Sequence, residues 1–162
     1  MRSSPPEILF HQAKMALPTA YLTSAKRLNE FFNAIISAQA PTRFTQKFLE
    51  NLGFKSSSDR LFIGILKALG FLDGNNAPTS VYYSFLDQTE SKKILAKQIL
   101  LAYSDLFQLN KSANEFSSTE VKSKFKSLTE GQKTDNVLSY IVTTFTKLVE
   151  YADWSDTEDM NI

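Results

Sequence analysis

The chain has 162 residues, no cysteine and only one histidine, His11. The lack of cysteine excludes disulfides, thiolate zinc sites, iron–sulfur clusters and a cysteine nucleophile. Without a second histidine, a nitrogen- or sulfur-ligated transition-metal site is excluded as well. No apolar run reaches 18 residues, and two prolines and a glutamate interrupt residues 1–9, so neither a membrane span nor a signal peptide is predicted. We expect a cytoplasmic protein without a metal or a small-molecule cofactor.

Glycine and proline are also scarce, with five of each, and most of them lie between residues 18 and 78. They divide this part of the chain into short pieces, as turn-forming residues do. The apolar spacing predicts helices over residues 24–39, from a cap at Thr42 to Leu52, and from a Ser56–Asp59 capping box to Leu69. The stretch 71–79 then predicts a tight or reduced β-hairpin, because apolar residues lead into an Asp-Gly-Asn turn.

The second half reads as helical almost throughout. A short helix is predicted over residues 81–85, and a long one from a cap at Thr89 to Phe107. Ser117 and Glu120 have capping-box spacing for another short helix, and Thr134 or Asp135 caps a helix that runs to Ala152. We expect the last helix to bury its apolar stripe against the 89–107 helix.

This order of elements predicts a mainly α fold with a winged helix-turn-helix-like core, a minimal β-hairpin and a C-terminal helical extension. The predicted organisation is a flexible leader (residues 1–16), one helical domain (17–154) and an acidic tail (155–162). Within the domain, residues 17–87 form the winged-helix-like core and residues 88–154 the helical extension.

Several stretches, taken together, resemble an uncharacterised prokaryotic family that is known only as a domain of unknown function. The resemblance covers roughly residues 17–152. It implies a compact helical protein with a winged-helix-like front half, and it brings no established activity, so no catalytic residue is carried over. The stretches are Leu17-Pro18-Thr19-Ala20-Tyr21-Leu22-Thr23-Ser24, Arg43-Phe44-Thr45-Gln46-Lys47-Phe48-Leu49, Leu52-Gly53-Phe54-Lys55-Ser56-Ser57, Leu66-Lys67-Ala68-Leu69-Gly70-Phe71-Leu72, Pro78-Thr79 and Tyr103-Ser104-Asp105-Leu106-Phe107.

Charge is distributed unevenly along the chain. Residues 1–60 contain eight Lys or Arg and four Asp or Glu, whereas residues 134–162 contain one and six. In a winged helix the second and third helices make the DNA contacts. Residues at the start of the third helix contact base edges, and residues around it contact phosphates. The polar residues predicted to bind nucleic acid are Arg43, Lys47, Lys55, Ser57, Arg60 and Lys67.

Other candidate chemistry is weaker than this basic set. Asp105 lies beside Tyr103 and Phe107 without a visible acid–base partner, and no phosphate-loop or dinucleotide-binding glycine pattern occurs. The aromatic residues of the front half fall mostly on apolar helix faces, so we expect them in the core and not as stacking platforms for bases. Tyr83 is the residue least tied to the buried stripe and the best candidate for an exposed ring. We therefore predict a non-enzymatic protein.

Two functional hypotheses follow from these observations. The first is a winged-helix module that binds double-stranded DNA with modest, salt-dependent affinity. The second is a protein-interaction subunit that docks into a larger prokaryotic complex or forms a homodimer, since fold alone does not decide function. The long apolar C-terminal helix and the acidic tail favour the second.

Overall fold

Eight α-helices account for most of residues 17–157, the part of the chain that the computed structural model describes. Two single-turn 3-10 helices, Ser57–Arg60 and Ala113–Glu115, accompany them. The predicted all-α class is confirmed. The predicted leader, His11 and the last five residues of the predicted acidic tail lie outside the described range. The helices are α1 (Leu28–Ser37), α2 (Gln46–Asn51), α3 (Leu61–Ala68), α4 (Ser80–Phe85), α5 (Ser91–Ala102), α6 (Ser104–Leu109), α7 (Ser118–Leu128) and α8 (Asp135–Tyr151).

The second helix begins later than predicted. Thr45, not Thr42, is its N-cap, and the Thr45 hydroxyl accepts a hydrogen bond from the N–H of Phe48. The prediction of a cap at Thr42 is wrong because the residues before Thr45 do not start a helix. Instead the N–H of Phe44 donates to the carbonyl of Asn76, 2.7 Å away in the hairpin region.

The hairpin that follows α3 is reduced to a single antiparallel bridge between Leu72 and Pro78. The N–H of Asp73 donates to the carbonyl of Ala77, and the Asp73 carboxylate in turn accepts from the N–H groups of Asn75 and Ala77, at 2.8 and 3.0 Å. One carboxylate therefore closes the turn, as Asp commonly does in tight turns. Within the described residues this bridge is the only β-pairing.

The predicted long helix over 89–107 is interrupted, and its predicted cap is wrong. The hydroxyl and the N–H of Thr89 both donate to the carboxylate of Asp87, so Thr89 closes a turn instead of capping α5. The helix also breaks at Tyr103, where neither glycine nor proline marks the sequence. The break lets Phe107 on α6 pack against the rings of Phe145 and Trp154, with centroids 6.2 and 5.9 Å away.

The last helix is buried as predicted. Phe145 on α8 is 2% exposed, and its ring centroid lies 5.0 Å from that of Tyr103 and 6.0 Å from that of Phe125 on α7. Helix α8 also reaches the front of the chain, where the Thr144 hydroxyl accepts from the N–H of Leu22. One hydrophobic core therefore runs through residues of both halves.

Candidate nucleic-acid interface

A short turn, residues 52–56, joins α2 to the third helical segment. Gly53 has φ +103°, a left-handed conformation that strains any residue with a side chain. Phe54 follows it and is 1% exposed. The left-handed glycine and the buried ring together fix the conformation of the turn. The turn in turn fixes the orientation of the two helices relative to each other.

The third helical segment begins with the predicted capping box. The Ser56 hydroxyl accepts from the N–H of Asp59 at 3.3 Å, and the Asp59 carboxylate accepts from the N–H of Ser56 at 3.1 Å. The first turn is 3-10, and α3 continues from Leu61. Because Asp59 is only 8% exposed, its charge is directed into the cap and not towards solvent.

Arg27, which the sequence analysis did not select, holds this turn from the start of α1. Its guanidinium donates to the carbonyl of Gly53 at 3.2 Å and lies 3.6 Å from the Asp59 carboxylate. It also stands over the ring of Phe54, 4.1 Å from the centroid. From the sequence, only the ion pair of Arg27 with Glu30 could be expected, because the two residues are three positions apart. Arg27 is therefore a structural residue of the turn.

All six residues that the sequence predicted for the interface are exposed. Lys47 lies on α2, Lys55 in the turn, Ser57 and Arg60 in the 3-10 turn, and Lys67 on α3. In the described part of the chain, none of these five side chains makes a hydrogen bond or an ion pair. Their polar groups are accordingly available to an external ligand.

Arg43 differs from the other five. Its Nε donates to the carbonyl of Asn75 at 3.0 Å, which ties the chain before α2 to the hairpin turn. The N–H groups of Ala77 and Asn75 lower the pKa of Asp73, and the charges of Arg43 and Lys67 add to that effect. The structure thus places Arg43 at the hairpin turn, where its side chain serves the fold.

The segment 41–70 is strongly cationic at its surface. It contains five Lys or Arg residues and two carboxylates, Glu50 and Asp59. Since Asp59 is buried in its cap, Glu50 is the one carboxylate of the segment that faces outwards, and it accepts a hydrogen bond from Gln46. A surface of this charge attracts polyanions.

The described residues offer little for acid–base or metal chemistry. No three His, Cys, Asp or Glu side chains between residues 17 and 157 come together in a group that could hold a metal ion. Burial raises the pKa of the Tyr82 and Tyr103 hydroxyls well above the usual range, so both stay protonated at neutral pH. No helix of the described range is both long and apolar enough to cross a membrane.

These features define an all-α domain with an exposed basic segment, residues 41–70, in which a short turn joins α2 to the third helical segment. The chain belongs to DUF5343, a family of unknown function, which it matches over residues 20–159. The resemblance to an uncharacterised domain family is therefore confirmed, while the prokaryotic origin and the cytoplasmic location stay predictions. No curated protein and no solved structure matches the chain.

Proposed function

We propose that this protein is a non-enzymatic DNA-binding module that contacts double-stranded DNA through α2, the turn 52–56 and the third helical segment. The observation that carries the proposal is the surface charge of residues 41–70. All five cations of the segment are exposed, and one of its two carboxylates is buried. Phosphate contacts from such side chains supply most of the affinity of a nucleic-acid-binding protein.

The backbone bonds around the hairpin favour a winged-helix arrangement. Three helical segments are followed by a hairpin, which is the element order that the winged-helix interpretation requires. Here the N–H of Phe44, between α1 and α2, donates to the carbonyl of Asn76 after α3. The hairpin is short and its turn contains Asp73, so we expect it to support the helices and to add little DNA affinity itself.

The third helical segment offers few side chains for reading bases. Ser57 and Arg60 stand at its start, where a recognition helix contacts base edges, and Gly64 leaves its middle without a side chain. We therefore expect low sequence specificity and an affinity near that of non-specific binders, with Kd of about 1–100 µM at physiological salt.

The test is a fluorescence-anisotropy titration of a mixed-sequence DNA duplex at low and moderate salt. The variant Lys47→Ala/Lys55→Ala/Arg60→Ala removes three exposed cations that make no hydrogen bond or ion pair in the described structure, and it leaves Arg43 in place to hold the hairpin turn. The matched control, Lys111→Ala/Lys124→Ala/Lys126→Ala, removes the same charge from other exposed positions. We expect the first variant to lose at least about tenfold in affinity and the control to stay close to wild type. If the wild-type protein does not bind, or the two variants bind alike, the proposal is wrong.

A specific observation also favours the second hypothesis, a protein-interaction surface. The apolar stripe of α8 that first suggested it is buried within the chain. However, Leu101 on α5 is 48% exposed and lines an apolar groove with Leu17, Pro18, Leu69 and Ala102. If this groove joins two copies of the chain, Leu101→Glu will lower the mass measured by light scattering. An unchanged monomer mass in both proteins would rule out self-association there.

A further inference from the structure

The apolar groove beside Leu101 contains one polar side chain that the fold uses only in part. Gln98 on α5 is 8% exposed and lines the groove. Its Nε2 donates to the carbonyl of Leu69 at 2.8 Å, whereas no described residue donates to its Oε1. An amide oxygen that has lost most of its water and has no partner raises the free energy of the folded state. A molecule in the groove that donates to this oxygen would remove that cost.

The amide of Gln98 is held in one orientation. Because the carbonyl of Leu69 needs a donor, the hydrogen-bond network assigns the amide nitrogen to that end and the oxygen to the other. Gly70 packs directly on the amide, since a Cβ at Gly70 would lie 3.1 Å from Nε2. The acceptor oxygen therefore keeps its place whether or not the groove is occupied.

The other walls of the groove are apolar and uncharged. They come from the chain before α1, the C-terminal end of α3 and the last turn of α5, and they include Leu17, Pro18, Leu69 and Leu101. None of the eight lining residues carries a charge. A charged ligand would lose its hydration here without gaining a partner, so the lining favours a neutral one.

The size of the groove suits a small molecule. Its volume is about 370 Å³, and small-molecule sites commonly have roughly 300–1,000 Å³. Such sites combine apolar walls with a few fixed polar groups that orient the ligand. A ring that covers Leu101, which is 48% exposed, would remove apolar area from water, and one hydrogen bond to Gln98 would fix its direction.

We propose that the groove binds a compact, neutral and largely apolar molecule whose single N–H or O–H group donates to Oε1 of Gln98. The groove lining contains no cation, so this site is separate from the phosphate contacts of the proposed function. The proposal commits the groove to a small ligand and not to a second copy of the chain.

The experiment uses two probes, indole and N-methylindole, which share their rings but differ in the N–H donor. Each is titrated into the isotope-labelled full chain and followed by NMR through the backbone amides and the side-chain amide of Gln98. Indole should bind with a Kd on the order of 1 mM, as expected for a fragment of this size, and should shift the signals of Leu69, Gly70, Gln98 and Leu101. N-methylindole should bind about fivefold more weakly, because the hydrogen bond is lost.

Three variants accompany the titrations. Leu101→Glu places a charge at an already exposed position and should weaken indole binding at least about tenfold. Leu109→Glu is the matched control, because Leu109 is 52% exposed on α6 and does not line the groove, and it should bind indole like wild type. Gln98→Met lacks the acceptor, so it should bind both probes alike. Its melting temperature checks that it stays folded without the bond to Leu69.

The contrary outcomes are distinct. Equal affinities of the wild-type protein for the two probes would overturn the contact with Gln98. Shifts that spread over the whole surface, or that persist in Leu101→Glu, would show non-specific association and overturn the site. A dimer that Leu101→Glu dissociates, together with no indole binding to wild type, would assign the groove to a second copy. None of these measurements uses DNA, so their failure leaves the proposed function standing.

Discussion

At the scale of single residues, charged side chains of the front half divide into two groups. Arg27 and Asp59 are used within the fold, where they hold the turn and the start of the third helical segment. Lys47, Lys55 and Arg60 make no hydrogen bond or ion pair in the described structure. Apart from Arg43, which also bonds to the hairpin turn, the cations of the proposed interface are ones that the fold does not use for itself.

Gly53 provides a direct test of the turn. Its Cβ would meet no atom within 4 Å, so Gly53→Ala should cost only the strain of φ +103°, about 1–2 kcal/mol. Gly74→Ala is the control, because Gly74 has equally open surroundings and no left-handed φ, and its stability should be unchanged or slightly raised. Urea unfolding of both variants measures this, and equal stabilities would contradict the assigned backbone of the turn.

At the scale of elements, local signals predicted the starts of the third helical segment, α4, α7 and α8. They placed the starts of α1 and α2 too early, gave α5 the wrong cap and missed the start of α6. The capping boxes at Ser56–Asp59 and Ser117–Glu120 are both present as read from spacing. The cap predicted at Thr42 is wrong because the neighbouring Phe44 bonds to Asn76, far along the chain. The predicted helix is interrupted at Tyr103 because Phe107 packs against Phe145, which is also distant in sequence. The exposure of the basic residues followed from helix periodicity, whereas Arg27 required the folded turn.

The hairpin turn should weaken in acid. The pKa of Asp73 is lowered mainly by the N–H groups of Ala77 and Asn75, so its charged form stabilises the fold above the unfolded pKa of about 3.8. That stabilisation is lost as the pH falls through the lower folded pKa. Melting temperatures of wild type and Asp73→Asn, which keeps an acceptor oxygen without the charge, should therefore converge below about pH 4. A constant difference down to pH 2.5 would contradict this role.

The α8 stripe should contribute strongly to stability. Phe145→Ala removes a ring that contacts Tyr103, Phe107 and Phe125, and emptying such a site costs about 3–5 kcal/mol. Thr143→Ala on the exposed side of the same helix should change stability by less than about 0.5 kcal/mol. Denaturant unfolding measures both. If Phe145→Ala leaves the free energy of unfolding nearly unchanged but lowers the mass measured in solution, the stripe is a subunit interface and this account is wrong.

At the scale of the whole molecule, the front half and the C-terminal helices share their contacts. The Thr144 hydroxyl accepts from the N–H of Leu22, and the Tyr151 hydroxyl donates to the side chain of Asn33. The ring of Tyr151 also lies 5.0 Å from that of Phe32 on α1. The α8 helix therefore covers α1 as well as α7, and the two halves depend on each other.

One cooperative unfolding transition is expected from this shared core. Trp154, the single tryptophan, stacks on Phe107, so its fluorescence reports on the C-terminal helices. Far-UV circular dichroism reports on all helices. The two probes should give the same urea midpoint, as in two-state unfolding. Separate midpoints would show that residues 17–87 and 88–154 unfold independently.

The central claim is that the exposed cations of residues 41–70 bind the phosphates of duplex DNA. The most direct measurement is the slope of log K against log salt for wild type and for Lys47→Ala/Lys55→Ala/Arg60→Ala. Each lost phosphate contact should reduce the magnitude of the slope by about 0.9, so the triple variant should be flatter by up to about 2.7. The same slope in both proteins would contradict the claim.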